Sequence, residues 1–147
     1  MNDCHHACEI VPGFIVGGIW NLREILDLEP DVLVPLDSLS GYIWETGFRG
    51  EILYYPIRDM RILPDDVIRR LVSEILARLD AGKRVAVFCA GGHGRTGYAA
   101  ACVLAARGIS DPVRLLRERY CGFAVESKLQ EQAVEKFMAA PGVGTEN

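Results

Sequence analysis

No apolar run in this chain approaches the roughly 18 residues that a membrane-spanning helix requires. Nor is there an excess of basic residues: Lys and Arg number 16 against 20 Asp and Glu, for a formal net charge of −4. These absences leave membrane and nucleic acid without a hydrophobic or electrostatic case as main partners. An internal repeat and a low-complexity linker are also missing, so the 147 residues read as one domain over 10–140. A flexible N-terminus at 1–9 precedes it and a C-terminal tail at 141–147 follows. Met1-Asn2-Asp3-Cys4-His5-His6 lacks the basic start and apolar core of a secretory signal, and the cysteines are odd in number, five in all. A cytoplasmic protein in a reducing environment is therefore expected. Histidine is scarce. His5 and His6 cluster with Cys4 and Cys8, but a structural zinc site usually draws on two separated knuckles, and the third histidine, His93, is remote. No metal is expected, and a lightly packed terminus is the reading adopted.

What is present is globular: half of the residues are hydrophobic and 24% are charged, which excludes disorder. Ile10–Gly18 reads as a strand entered through a turn and left through a glycine pair. A short helix over Trp20–Leu28 follows, and then a fully apolar strand over Asp31–Leu36 of the kind buried on both faces. Gly41–Gly50 is aromatic and glycine-punctuated; capping the core is the favoured reading and lining a substrate groove the alternative. Glu51–Ile57 gives a third strand. Apolar residues at 67, 68, 71, 72, 75, 76 and 79 mark one stripe of a crossover helix, with Gly82 as its stop. A fourth strand over Arg84–Phe88 delivers Cys89. Helices follow from near Arg95 to Arg107, from Pro112 to Tyr120 behind the cap Ser110-Asp111, and from Glu126 to Met138. Strand–helix alternation giving way to consecutive helices predicts an α/β domain, with a mainly parallel sheet of four or five strands and helices on both faces.

The chemistry-bearing stretch is Cys89-Ala90-Gly91-Gly92-His93-Gly94-Arg95-Thr96-Gly97. A strand ends in cysteine, a glycine-rich loop follows, and a helix begins near Arg95. Such a loop turns successive backbone N–H groups inward at a helix N-terminus and forms an anion cradle. Those amides and Arg95 stabilise a Cys89 thiolate. The guanidinium of Arg95 returns over the loop to grip two oxygens of a phosphate. Gly92-His93-Gly94-Arg95-Thr96-Gly97 also fits the dinucleotide pattern G-x-G-x-x-G, but that reading needs an acidic residue about 20 positions on, at the end of a second strand, and the region of Arg117 and Glu118 reads as helix. A tight structural turn around an inert buried cysteine is the remaining bland alternative.

The Cys-x5-Arg run with Thr96 and Gly97 resembles the signature of the cysteine-dependent protein tyrosine phosphatase superfamily, and the pattern over about Val11 to Phe137 is closest to small atypical dual-specificity phosphatases. Tyr55-Pro56-Ile57-Arg58-Asp59 is similar to the family's general-acid loop, with Asp59 thirty positions before Cys89. Ala124–Gln130 with Phe137 is similar to its C-terminal helix segment, which serves packing and orientation; no catalytic role is carried to Gln130. The resemblance implies a dual-specificity-phosphatase-like fold and hydrolysis of phosphomonoesters without a cofactor. Cys89 is then the nucleophile that forms a phosphocysteine intermediate. Arg95 and the loop Ala90, Gly91, Gly92, His93 and Gly94 bind the phosphate, Asp59 is general acid and base, and Thr96 steadies the departing sulfur. Asp65 and Asp66 are rival acids, but at a helix start carboxylates serve as caps.

Two positions stand out against the family. Phe88 replaces the histidine that usually precedes the nucleophile, which removes one support of the thiolate while leaving amides and Arg95 in place. His93 falls where the loop varies, and when protonated it adds positive charge for a more highly phosphorylated substrate; a neutral loop-filling role is the alternative. The expected partner is a phosphorylated protein, phosphotyrosine first and phosphoserine or phosphothreonine second. Inositol phosphates or other phosphorylated small molecules are the alternative, and a non-catalytic phospho-ligand module is a third reading. Sulfur transfer leaves Asp59 and Arg95-Thr96-Gly97 without a purpose. A monomer is favoured over an oligomer, and Cys102 or Cys121 is a candidate redox partner of Cys89.

Overall fold

A computed structural model describes residues 6–37, 43 and 46–140. Five strands form one sheet in the order β1-β2-β5-β3-β4. They are β1 (Cys8–Val11), β2 (Phe14–Gly18), β3 (Val32–Pro35), β4 (Glu51–Ile52) and β5 (Val85–Cys89). β1 runs antiparallel to β2, and the other pairings are parallel. The helices are α1 (Leu22–Asp27), α2 (Asp65–Asp80), α3 (Gly94–Ala106), α4 (Pro112–Arg119) and α5 (Lys128–Ala139). This is the expected single α/β domain. Among the described residues no helix is long and apolar enough to cross a membrane.

Two elements differ from the sequence reading. The strand expected at Ile10–Gly18 is a hairpin, with Gly13 at φ +82° in its turn. This conformation favours glycine, and the hairpin draws Cys8 and Glu9, assigned above to the N-terminus, into the sheet. The third strand stops at Ile52, although the chain continues along β3: the Leu53, Tyr55 and Ile57 amides donate to Leu33, Pro35 and Leu36. β4 is an edge strand, and Pro56 has no N–H to extend the ladder.

Alternation along the central strands divides the core into two. Phe14, Val16, Val32, Val34, Val85, Val87 and Cys89 face α2, α3, α4 and α5. Ile15, Leu33, Ala86 and Phe88 face the other way, onto Ile25 of α1 and onto Ile43. Both faces are covered, so the strands carry apolar runs and not a polar–apolar alternation. α3 is the central helix, buried along most of its length. Its alanines and Gly97 let it sit close to its neighbours: a Cβ on Gly97 would fall 2.4 Å from the Val125 nitrogen. The parallel register aligns Gly18, Cys89 and Pro35 at one end of the sheet. This is the carboxyl edge, where parallel α/β sheets present their functional loops.

Candidate active site

Cys89 closes β5 and α3 opens at Gly94, so the five residues between the sulfur and Arg95 have to turn sharply. Gly92, at φ +78°, makes the turn, and a Cβ there would lie 2.6 Å from the Tyr120 hydroxyl and 2.9 Å from the Gly18 nitrogen. No other residue type fits that cleft. The loop is held from behind: Tyr120 donates its hydroxyl to the Gly92 carbonyl at 2.6 Å, and the Ile19 amide donates to the Ala90 carbonyl at 3.2 Å. Burial, and after it the nearby sulfurs of Cys89 and Cys8, hold the Tyr120 phenol above its ordinary range. It therefore remains a protonated donor. Gly18 permits the close approach of β2 to the loop, since a Cβ there would lie 3.0 Å from the Gly91 carbonyl carbon.

Around the sulfur, the Gly92 amide donates to Sγ at 3.2 Å and the Thr96 hydroxyl reaches it at 3.0 Å. Thr96 Oγ1 also lies 3.3 Å from the Gly17 carbonyl. One hydroxyl proton thus has two acceptors and goes to the sulfur when that sulfur is anionic. Phe88 plays no part here. Its ring is buried on the opposite face of the sheet with Ile15, Leu33 and Ile25, because consecutive strand residues point to opposite sides.

Arg95 Nη1 donates to the Ile57 carbonyl at 3.0 Å, and its Nη2 lies 3.6 Å from Asp59 Oδ1; Arg95 is 11% exposed and Asp59 77%. A nearly buried guanidinium is fixed by a backbone carbonyl while its partner carboxylate remains in solvent. Asp59, Cys89, Ala90, Gly91, His93, Gly94, Arg95 and Glu126 line one cavity of about 220 Å³. The structure therefore brings Cys89, Arg95, Asp59 and the loop residues together. Gly92 and Thr96 lie beneath that surface, Gly92 as hinge and Thr96 as buried contact to the sulfur. Asp65 and Asp66 stand in the first turn of α2, and Asp65 pairs with Lys136 at 3.0 Å, away from this cavity.

Sequence reasoning missed the support of the Asp59 loop. Gln130 is fully buried. Its Oε1 accepts from the Glu126 and Ser127 amides, and its Nε2 donates to the Arg61 carbonyl at 3.2 Å. Ser127 caps α5 and donates its hydroxyl to the Met60 carbonyl at 3.1 Å. Met60 has φ +66°, a conformation that must be held by contacts because its own preference is against it. The start of α5 thus pins the turn that carries Asp59. The spacing Ser-x-x-Gln before an apolar helix is a capping-box signal and was readable, but its tertiary target was not. Arg117 fixes the other side of this segment, donating to the Ala124 and Val125 carbonyls and to Glu131.

Among the described residues, Cys8, Cys102 and Cys121 lie outside the cavity. Cys8, Cys89 and Cys102 are free, whereas Cys121 is disulfide-bonded. Its sulfur is engaged elsewhere than with Cys89, which corrects its candidacy as the redox partner and departs from the expectation of a wholly reduced set. Cys102 is buried in α3, and burial pushes its thiol well up, the behaviour of a packing residue. His6, from the cluster at the start of the chain, sets its ring edge-on to Tyr120 with centroids 6.3 Å apart. Cys4 and His5 lie outside the described residues.

A family model described as PTP-SAK, a Swiss Army Knife protein with a DSP-PTPase phosphatase domain, matches residues 45–139. Two uncharacterized proteins of Methanocaldococcus jannaschii are 38% and 37% identical over 109 residues, covering 71% of this chain and 69% and 74% of theirs. The solved structure of Tk-PTP in the active form is similar at TM-score 0.78 and 25% identity, over 90% of this chain and 95% of that one. Human DUSP28, at 13% identity, shares the fold with TM-score 0.71 over 90% of this chain and 92% of its own.

Proposed function

Because this chain belongs to the PTP-SAK family of DSP-PTPase phosphatase domains, we propose that it hydrolyses phosphomonoesters through a phosphocysteine intermediate. Protein phosphotyrosine is the main substrate and phosphoserine and phosphothreonine are lesser ones. The observation that carries this reading is the convergence, in one small cavity, of Cys89, the loop amides, Arg95 and the exposed carboxylate of Asp59. In the first step the Cys89 thiolate attacks phosphorus in line. The loop amides and the Arg95 fork hold the equatorial oxygens, where charge sits in the transition state. Arg95 trades its long contact with Asp59 for the phosphate, which frees that carboxyl to protonate the departing oxygen. In the second step Asp59, now a carboxylate, takes a proton from the attacking water, and the sulfur leaves as a thiolate that accepts the Thr96 hydroxyl hydrogen bond. Each step uses groups of this chain alone, and the ligand is a phosphorylated protein. Inositol phosphates are the alternative class.

The test is hydrolysis of p-nitrophenyl phosphate by the wild-type protein in excess chelator, followed by a phosphotyrosine, phosphoserine and inositol phosphate panel. Turnover is expected to survive the chelator. Activity that disappears with metal removal, or phosphate binding without turnover, overturns the proposal.

The contacts of Gln130 yield a further expected outcome. Gln130→Ala removes the bond to the Arg61 carbonyl and loosens the turn that carries Asp59. We expect phenyl phosphate, whose leaving group needs the proton, to lose about tenfold more kcat than p-nitrophenyl phosphate, within the range general-acid catalysis supplies. A merely structural loss would lower both substrates equally. Ser127→Ala, which removes the bond to Met60, is expected to move the same ratio in the same direction by less.

A further inference from the structure

A second cavity, of about 370 Å³, is lined by His93, Arg117, Gly122, Phe123, Val125 and Glu126. It shares His93 and Glu126 with the cavity that holds Cys89, so the two adjoin at those residues. Its wall is the ring of Phe123, 62% exposed and set against His93 with centroids 6.0 Å apart. An exposed phenyl ring beside a polar cleft is a contact surface awaiting a ligand with apolar or cationic character. The Arg117 guanidinium in the cavity is committed to the Ala124 and Val125 carbonyls and to Glu131, with which it forms an ion pair at 3.0 Å.

Glu126 is different. Its backbone amide is bound to Gln130, yet its carboxylate makes no hydrogen bond or ion pair among the described residues. Its Cβ is fixed against the start of α3, where a Cβ on Gly94 would come within 3.0 Å of it. The phosphate cradle therefore carries a second carboxylate on its rim in addition to Asp59. A carboxylate at that place opposes a second phosphate next to one held by Arg95 and the loop amides.

We propose that this second cavity is a substrate subsite for the basic side chain of a residue flanking the phosphorylated one, held between the Phe123 ring and the Glu126 carboxylate, and that Glu126 rejects substrates with a second phosphate beside the first. The proposal rests on the phosphatase reading and names its substrate class: a singly phosphorylated, locally basic peptide in preference to a phosphorylated inositol. Both attractive contacts lie near solvent, where an ion pair and a cation–π contact are each modest, so the selectivity expected is about tenfold.

The experiment measures kcat/KM for phosphotyrosine peptides that carry Arg, Gln or Glu next to the phosphotyrosine, together with an inositol bisphosphate, and measures the affinity of the same ligands for Cys89→Ser. Wild type is expected to prefer Arg over Glu by about tenfold in both measurements. Glu126→Gln should collapse that preference, and Glu126→Arg should invert it and admit the bisphosphate. Phe123→Ala should weaken the Arg peptide selectively. A wild-type ratio near one, a preference for the Glu peptide or the bisphosphate, or a Glu126→Gln loss shared equally by every peptide and by p-nitrophenyl phosphate overturns the subsite. Failure of the wild type to hydrolyse p-nitrophenyl phosphate overturns the phosphatase reading instead, while the affinities on Cys89→Ser still decide the subsite.

Discussion

Cys89→Ser is expected to abolish turnover of p-nitrophenyl phosphate, with a loss of about 10⁴-fold or more, the scale on which removal of a nucleophile is felt. The reason is chemical and not structural. A serine hydroxyl at this position finds the same Gly92 amide and Thr96 hydroxyl that now contact the sulfur at 3.2 and 3.0 Å, so a buried polar atom is not left unsatisfied. The variant should fold with the midpoint of the wild type, and it should still bind phosphate through the loop amides and Arg95. What it loses is the sulfur nucleophile, since an alcohol oxygen in the same place is a far weaker attacking group at phosphorus. Thermal unfolding, phosphate titration and turnover on one preparation separate these claims. Turnover within tenfold of wild type would remove Cys89 from the chemistry.

Arg95→Lys is expected to be nearly as damaging, at about 10³-fold in kcat, because one preorganised group that meets developing charge is worth 10²–10³ and a planar fork adds to it. A lysine preserves the charge but presents a point donor. It cannot hold the Ile57 carbonyl, now 3.0 Å from Nη1, and two phosphate oxygens at once. The substitution therefore withdraws both a grip on the substrate and a strut between the cradle and the strand that leads to Asp59. Phosphate affinity should fall together with kcat, which distinguishes it from Asp59→Ala, expected to spare affinity and lose turnover of poor leaving groups first. A lysine variant with kcat/KM within tenfold of wild type would show that the fork is dispensable.

The legibility of these residues follows from how far apart in the chain their partners lie. Cys89 through Gly97 is contiguous, and a strand that ends in cysteine followed by glycines and a helix start can be read locally, because an anion cradle is built from successive backbone amides. The order of helices and the parallel sheet were legible for the same reason, since period and turn residues are local signals. β1 was missed because four residues at a terminus carry little pattern, although Pro12-Gly13 marked the turn. Asp59 was identified by its place after a strand, but its contact with Arg95 depends on β4 running beside β3 and β3 beside β5. The replacement at Phe88 stood out in sequence, whereas only the structure shows that pleating turns its ring to the face opposite the Cys89 side chain.

By itself, then, the sequence determined the α/β class and the strand–loop–helix passage from Cys89 to Gly97, both written in short spans where the backbone geometry follows from the residues. Only the tertiary structure decided what surrounds that cradle: Tyr120 behind Gly92, Gln130 beneath the Asp59 turn, and Glu126 with Phe123 on the rim. These come from segments about 30 to 70 residues away from what they touch or after the last strand. The packing of α3 against its neighbours, and no local preference, sets their distances, since a chain's own propensities specify elements while their mutual positions are set by burial.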